Sequence, residues 1–383
     1  DMDIGIEKDG WGRGATLFLA LLAAFTLLTV PAPSAVGAEG YVDNRARSPH
    51  FVGGEFKNGR ESDKSYWKLL WMRLTTDYDD WPHWRESSPG PAPPARVEGD
   101  QIRVTTVNHS TVLIQTHGYN IITDPIYAES CSPVPFSGFK RVRQPGVRFY
   151  QLPKIDLVLI SHDHYDHLDL PTVRRLVARD NPRIFLGLGV GRHLLDLQAR
   201  VTELDWWQGA QVTDDFSLTF VPVQHFSGRT LFDTFSTLWG GFVLEIGERK
   251  IYFGGDSGYA NHYKETFARF GPMDLALLPI GAYSPQSFFG YAHLDPRQAV
   301  QAHTDLHSGK SIGVHYGTFR LTAEGIDEPV KALARERERA GLPAGDFITA
   351  DFGQAVVLKS MPSKASRPTI TAGRHEGEES NGR

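Results

Sequence analysis

Nine residues near the middle of the chain, Ser161-His162-Asp163-His164-Tyr165-Asp166-His167-Leu168-Asp169, carry an unusual concentration of polar side chains. They follow directly on Ile155-Asp156-Leu157-Val158-Leu159-Ile160, a nearly continuous apolar run typical of a strand buried on both faces of a sheet. Imidazole and carboxylate together are the ligand set of zinc and its chemical neighbours. We therefore predict that this loop binds metal through His162, His164, Asp166 and His167.

The spacing within the loop suggests two incomplete ligand sets, one pairing His162 with His164 and the other pairing Asp166 with His167. A catalytic zinc site commonly has three protein ligands and an open position, so each pair needs a further ligand from elsewhere. Three polar side chains follow later predicted strands and are candidates for that role: His225, Asp256 and His315.

Each of these three candidates also has a simpler interpretation. A lone histidine after a strand is more often a hydrogen-bonded structural residue, and an aspartate after two glycines is more often a turn residue. The unfilled ligand pairs of the histidine loop favour ligation instead. Gly254 and Gly255 are expected to let the backbone near Asp256 approach a bound ion closely.

The remaining pattern contains more strands than helices. A three-stranded meander is predicted over residues 102–106, 111–115 and 119–123, and later strands over 183–186, 217–223, 242–246, 250–253, 275–279 and 311–314. Helices are predicted over 172–179, 261–270, 296–307 and 328–340, with Asp295 as an N-cap and Pro296 in the first turn. The strands fall into two groups along the chain, with helices between them. This order favours the α/β class, as an αββα sandwich of two sheets with helices outside.

The first 38 residues are predicted to be a targeting segment. Lys8 and Arg13 precede an uncharged, mostly apolar run over residues 15–30, and small residues at Val36 and Ala38 resemble a signal-peptidase site. We expect cleavage after Ala38 and export to the periplasm or the extracellular space. The alternative is a retained membrane anchor through residues 15–30, although that run is short for a spanning helix.

Composition narrows the function classes. The 383 residues are 40% hydrophobic with a net charge of −5, and a basic stripe that would bind nucleic acid is missing from the sequence. The single cysteine, Cys131, excludes an intramolecular disulfide and a cysteine-based zinc site. We expect an N-terminal extension over 39–98, a main domain containing the histidine loop over 99–358 and a disordered tail over 359–383. The extension contains a predicted aromatic helix, 66–74, that either caps the core or lies at a lipid interface.

Segments beyond the histidine loop resemble a known family. The loop, the distant histidines and the Gly-Asp resemble the metallo-β-lactamase superfamily, whose fold is a sandwich of two mixed β-sheets flanked by helices. Other segments are similar to N-acylphosphatidylethanolamine-hydrolysing phospholipase D: Thr123-Asp124-Pro125, Asp205-Trp206-Trp207, Gly255-Asp256-Ser257-Gly258-Tyr259, Pro279-Ile280-Gly281-Ala282-Tyr283 and His315-Tyr316-Gly317-Thr318-Phe319.

That resemblance implies a set of roles for individual residues. One zinc ion would be held by His162, His164 and His225, the other by Asp166, His167 and His315, with Asp256 bridging the two. Other divalent transition metals are alternatives to zinc. Among the catalytic residues, Asp124 would orient a metal ligand and Asp166 would act as a metal ligand. His293 would lie beside the bound phosphate, as a general acid or as an orienting group, and Tyr165 would line the substrate pocket.

The activity implied is hydrolysis of a membrane phospholipid, N-acylphosphatidylethanolamine, to N-acylethanolamine and phosphatidic acid by attack of a metal-bridging hydroxide. The sequence departs from the family at Ala292, Tyr316 and Asp163, where many relatives carry Gln, Trp and Asn. Two alternatives therefore stay open: a zinc lactonase or other hydrolase of a soluble substrate on the same fold, and a non-catalytic metal-binding protein. The sequence predicts no oligomeric state.

Overall fold

The computed structural model describes residues 41–58, 71–72, 74–132, 138–230 and 232–360. The predicted targeting segment, residues 59–70 of the extension and the tail from residue 361 onwards lie outside the described residues. Within the described ranges, no helix combines the length and the apolar character needed to cross a bilayer.

Strands dominate the part of the chain that the structure describes. In chain order they are β1 Phe51–Val52, β2 Glu55–Phe56, β3 Ile102–Asn108, β4 Thr111–Thr116, β5 Tyr119–Thr123, β6 Ser130–Cys131, β7 Phe139–Lys140, β8 Leu157–Leu159, β9 Arg183–Gly187, β10 Arg200–Leu204, β11 Gly209–Thr213, β12 Phe216–Val221, β13 Gly241–Ile246, β14 Arg249–Phe253, β15 Leu275–Pro279, β16 Ser311–Val314, β17 Phe347–Ile348 and β18 Ala355–Leu358. The α-helices are α1 Leu170–Asp180, α2 His262–Phe270, α3 Gln286–Phe289, α4 Pro296–Asp305 and α5 Glu328–Arg339, and 3₁₀ turns span Arg45–Arg47, Phe149–Gln151 and Val190–Leu197.

Most strands belong to two seven-stranded sheets. The first has the order β10-β9-β8-β5-β4-β3-β18 and the second the order β11-β12-β13-β14-β15-β16-β17. Each sheet is mixed: β10, β9, β8 and β5 are parallel and the rest of the first sheet is antiparallel. In the second sheet, β14 to β17 are parallel and β11 to β14 are antiparallel. The predicted fold, two mixed sheets flanked by helices, is confirmed.

Both faces of the central strands are buried, because successive side chains point alternately into the core between the sheets and toward the helices outside. In β13, Phe242 and Leu244 point into the core between the sheets, while Val243 packs against the helices outside the second sheet. In β8, Leu157 and Leu159 face the core between the sheets, while Val158 packs on the layer that contains α1. This arrangement explains why these strands are apolar on nearly every residue.

The two large sheets differ from the predicted elements in a few strands. The strands β10, β11, β17 and β18 were not predicted, and each of them lies at a sheet edge. The predicted strand over 155–160 is shorter, Leu157–Leu159, because the chain turns into the histidine loop. Asp295 caps α4 as predicted, its side chain accepting a hydrogen bond from the backbone N–H of Gln298.

The described part of the N-terminal extension packs against the two sheets. Phe56 is only 1% exposed and belongs to the core between the sheets. Its backbone N–H donates to the carbonyl of Phe235 at 2.8 Å, and the Asn58 side chain donates to the carbonyl of Val223 at 3.1 Å. Residues 41–58 therefore belong to the same packed body as the sheets.

The predicted aromatic helix is described only at its C-terminal end. Residues 71–72 and 74–75 are helical. Met72 is buried, and its Sδ accepts a hydrogen bond from the Tyr78 hydroxyl. Trp71 and Leu74, in contrast, are 71% and 62% exposed. The described end of this helix thus presents both an inward face and an exposed apolar face.

If the extension is part of the core, truncating Phe56 must destabilise the whole domain. We expect Phe56→Ala to lower the free energy of unfolding by about 3–5 kcal/mol, because it removes a fully buried aromatic ring. Val52→Ala, at a position that is 57% exposed on the neighbouring strand, should change it by less than about 0.5 kcal/mol. Urea unfolding measures both; equal effects of the two variants would contradict this packing.

Candidate metal centre

Strand direction brings the predicted ligands to one edge of the sandwich. The strands β14 and β16 run in the same direction, and β12 shares it because both β12 and β14 are antiparallel to β13. Asp256, His315 and His225 follow the ends of these strands, so they meet at one edge of the second sheet. The loop after β8 crosses to the same place from the first sheet, where the backbone N–H of Gly240 donates to the carbonyl of Ser161 at 2.9 Å.

Three imidazoles form the first set of donors, which we term the histidine group: His162, His164 and His225. Nδ1 of His164 lies 2.8 Å from Nε2 of His162 and 3.3 Å from Nε2 of His225. The other ring nitrogen of His225 donates to the carbonyl of Ala292 at 2.9 Å, which directs Nε2 toward the group. Three ring nitrogens thus converge on one point.

A second set of donors, the mixed group, consists of Asp166, His167, His315 and Asp256. Oδ2 of Asp166 lies 3.4 Å from Nε2 of both His167 and His315. Oδ2 of Asp256 lies 3.2 Å and 3.1 Å from the same two nitrogens. Because Oδ2 of Asp256 is also 3.8 Å from Nε2 of His225, this carboxylate stands between the two groups.

The donor atoms fit a bound cation. Among the described residues, Nε2 of His167, Nε2 of His315 and Oδ1 of Asp256 are buried without a hydrogen-bond partner. Leaving such atoms unpaired is costly, and coordination to a metal ion satisfies them. Four combinations of these side chains, some of them with His109 or His293, place their donor atoms within 4.8 Å of one another. The site can therefore hold metal, and its donor set is one that zinc prefers.

Electrostatics within the site favour charged carboxylates and divide the imidazoles. Burial alone would lower the pKa of His167 and of His315, but Asp256 and Asp166 outweigh it, raising the pKa of His167 well above its usual value and that of His315 to about 9. Burial alone would raise the pKa of Asp256, but the imidazoles of His167 and His315 outweigh it and hold that pKa well below its usual range. Burial lowers the pKa of His293 to about 3. A carboxylate anion and a neutral imidazole are the forms that bind metal.

Asp124 supports the centre from behind. Its carboxylate, which is fully buried, accepts hydrogen bonds from the Ser161 N–H at 2.7 Å, the Ser161 hydroxyl at 2.6 Å and Nδ1 of His167 at 2.7 Å. The last of these fixes the tautomer of His167 and points its Nε2 at the mixed group. Asp124 is thus a positioning residue in this geometry.

The two predicted substrate residues differ in what they contact. Nδ1 of His293, in the turn before α4, is 3.7 Å from Oδ2 of Asp256, and its ring contacts that of His225 edge to face. Tyr165 is half-buried, and the guanidinium of Arg229 lies 3.8 Å above its ring. His293 is therefore next to the donor groups, and the role of Tyr165 in a substrate pocket stays a prediction.

The glycine beside Asp256 allows a close approach of the two sheets. Gly255 has φ +56°, and a Cβ built there would come within 2.5 Å of Cβ of Ser161. Glycine is therefore required at this position by the loop of the facing sheet, and the predicted approach of this backbone to an ion stays a prediction.

His109 belongs to the site and was not predicted. Its Nε2 lies 3.0 Å from Oδ2 of Asp166, and burial, followed by the nearby His315, lowers its pKa to about 3. The signal was available, because His109 follows the strand β3 just as His225 follows β12. The same rule applied to the first sheet would have found it.

Comparison with known proteins agrees with this geometry. A family model for the beta-lactamase superfamily domain matches residues 119–316, about half of the chain. The chain belongs to the beta-lactamase superfamily. An uncharacterised protein of Mycobacterium tuberculosis is 38% identical over 80% of this chain and 85% of that protein.

A second relative carries a functional name. The N-acyl-phosphatidylethanolamine-hydrolyzing phospholipase D 1 of Caenorhabditis elegans is 37% identical over 65% of this chain and 74% of that protein. Among solved structures, a metallo hydrolase of Ignicoccus hospitalis covers 68% of this chain and all of that protein at 20% identity, with a TM-score of 0.53. The chain is thus a hydrolase with the metallo-β-lactamase fold.

Within this superfamily fold, Asp163 ties the histidine loop to its surroundings. The carboxylate is fully buried and accepts hydrogen bonds from the Gly228 N–H at 2.8 Å, the Thr237 hydroxyl at 2.7 Å and Nε2 of His193 at 3.3 Å. Burial alone would raise its pKa, but the hydrogen bond and charge of His193 hold that pKa well below the usual range. The carboxylate of Asp163 therefore links the histidine loop to the segments that carry Gly228, Thr237 and His193.

Removing this carboxylate should loosen the loop. We expect Asp163→Ala to lower the free energy of unfolding by about 3–5 kcal/mol, because it leaves the buried Thr237 hydroxyl and the partly buried Gly228 N–H and His193 imidazole without their acceptor. Asp163→Asn should cost only about 1–2 kcal/mol, since the amide oxygen still accepts from Gly228. Urea unfolding at a fixed zinc concentration measures both. An Asp163→Ala variant within 1 kcal/mol of the wild type would contradict the role of Asp163.

Proposed function

We propose that this chain is a phospholipase D-type phosphodiesterase with two metal ions, which hydrolyses N-acylphosphatidylethanolamine to N-acylethanolamine and phosphatidic acid. The observation that carries the proposal is the position of Asp256, whose Oδ2 lies 3.1–3.8 Å from imidazole nitrogens of both donor groups. One carboxylate can thereby serve two ions. The C. elegans relative named for this reaction supports the choice of substrate.

The two ions would be held separately by the two groups. The histidine group would hold one ion and the mixed group the other, with Asp256 shared, and zinc is the ion that this donor set favours. When bound, such a pair of ions supplies a low-pKa water and neutralises charge on the phosphoryl oxygens. The two carboxylates, Asp166 and Asp256, offset part of the charge of the ions, and Asp124 keeps His167 in its binding orientation.

The buried environment of His293 favours one of its two predicted roles, orienting the phosphate, over general acid catalysis. Because burial lowers its pKa to about 3, the imidazole is neutral at pH 7. A neutral imidazole donates one N–H hydrogen bond, so we assign His293 to binding and orienting a phosphoryl oxygen rather than to supplying the proton. Its place beside Asp256 puts it within reach of a group bound at the ions.

The compartment and the substrate surface are part of the same proposal. A basic start, an apolar run over 15–30 and small residues before position 39 support export to the periplasm or the extracellular space. The exposed apolar side chains of Trp71 and Leu74 are suited to contact with a phospholipid surface.

The direct test is a substrate comparison with the full chain, reconstituted with zinc and assayed for bound metal. We expect N-acylphosphatidylethanolamine in mixed micelles to yield equal amounts of N-acylethanolamine and phosphatidic acid, quantified by mass spectrometry. The rate should rise when the lipid enters micelles, and a chelator should abolish it, because the ions supply the reactive water. Hydrolysis of a soluble lactone without phospholipid turnover, or turnover of neither, would contradict the proposal.

A variant pair separates the site from contaminating activity. His293→Ala should lower turnover by about 10²- to 10³-fold, the usual effect of losing one preorganised donor, while its metal content stays that of the wild type. His83→Ala, at an exposed histidine outside the centre, should leave turnover unchanged. Loss of metal from His293→Ala would assign His293 to metal binding instead.

A further inference from the structure

We propose that His109 is a positioning residue of the mixed group, holding the Asp166 carboxylate in the orientation that the second ion requires. The proposal rests on the two-ion function above and deepens it. His109 follows β3 and is 1% exposed, so it lies inside the protein rather than at the substrate face.

The decisive contact is between His109 and the oxygen of Asp166 that faces the other donors. Nε2 of His109 lies 3.0 Å from Oδ2 of Asp166, and the same oxygen is 3.4 Å from Nε2 of both His167 and His315. An imidazole N–H donated to a carboxylate fixes its rotation about the Cβ–Cγ bond. Partners that act in this way usually change metal affinity 10- to 100-fold when removed.

The arrangement favours positioning over direct ligation. Asp166, His167, His315 and Asp256 already supply four donors, the usual number around zinc, with imidazole nitrogens 3.1–3.4 Å from carboxylate oxygens. The contact of His109 is instead a hydrogen bond to one of these donors.

Backbone hydrogen bonds join His109 to the segment that carries His315 and Thr318. Its N–H donates to the Thr318 hydroxyl at 3.1 Å, and its carbonyl accepts the His315 N–H at 2.9 Å. The His109 ring also packs on the His315 ring, with centroids 4.0 Å apart. These ties come from the main chain and the ring position, so a substitution at His109 can remove the imidazole donor and leave the backbone hydrogen bonds in place.

A small cavity lies beside His109 and His315. His109 and His315 both line a cavity of about 10 Å³, which is close to the volume that one water molecule needs. Within the described part of the chain, Nδ1 of each ring is buried without a hydrogen-bond partner. A water in this cavity would accept from Nδ1 of His315 and so complete the second hydrogen bond that metal-binding histidines usually make.

Metal titration tests the proposal independently of any substrate. The variants are His109→Leu, which removes the donor, and His109→Gln, whose amide N–H can replace Nε2. The control is His303→Gln, at a buried histidine on α4 that contacts the Ser311 hydroxyl. Zinc affinity is measured by chelator competition and the site geometry by the visible spectrum of the cobalt-substituted protein, with circular dichroism as the check on folding.

We expect His109→Leu to weaken the binding of one of the two ions by about 10- to 100-fold and leave the other unchanged. His109→Gln should restore affinity to within about threefold, and His303→Gln should match the wild type, because only the donor to Asp166 matters. Wild-type affinity for both ions in His109→Leu would overturn the proposal. So would equal loss of both ions in the two His109 variants. Failure to hydrolyse phospholipid would leave these affinities unaffected, so the two proposals fail separately.

Discussion

Unpaired ligand atoms in a buried site are the constraint on which this protein depends. Nε2 of His167 and of His315 and Oδ1 of Asp256 are removed from water without a hydrogen-bond partner in the described structure. Burying such groups costs several kcal/mol each unless a counter-charge compensates. A divalent cation would compensate these donors, and in catalytic zinc sites such an ion keeps one coordination position open for substrate. The buried donors thus fit the metal-dependent catalysis proposed for the chain.

The surrounding fold keeps these atoms in place from behind. Asp124 fixes the tautomer of His167, the carbonyl of Ala292 fixes that of His225, and Asp163 anchors the loop that carries His162 and His164. Every one of these supports joins segments that are far apart in the sequence. The geometry of the site therefore depends on the packing of the two sheets, because that packing brings the loops to a common edge.

Much of this arrangement could be predicted from sequence because the signals are local. The apolar run before Ser161 indicates a doubly buried strand, and the loop after it has ligands at short spacing, so both the fold class and the loop could be inferred. The edge strands β10 and β11 lack that signal, because polar residues interrupt them and their side chains are partly exposed. The edge strand β18 is apolar, but it has only four residues, and they are not buried.

Contacts that depend on tertiary pairing could not be inferred in this way. The role of Gly255 depends on the approach of Ser161 from the other sheet. That of Asp163 depends on Gly228 and Thr237, more than sixty residues away. Such distances along the chain carry no periodic pattern, so the roles of Gly255 and Asp163 can be recognised only in the folded structure.

The most direct test of the two-ion centre is X-ray absorption at the zinc edge on the full chain loaded with two equivalents of zinc. The shared carboxylate of Asp256 predicts a zinc–zinc scattering path at about 3.5–4 Å, with imidazole nitrogens and carboxylate oxygens in the first shell. Retention of a single equivalent, or two equivalents without a zinc–zinc path, would contradict the account.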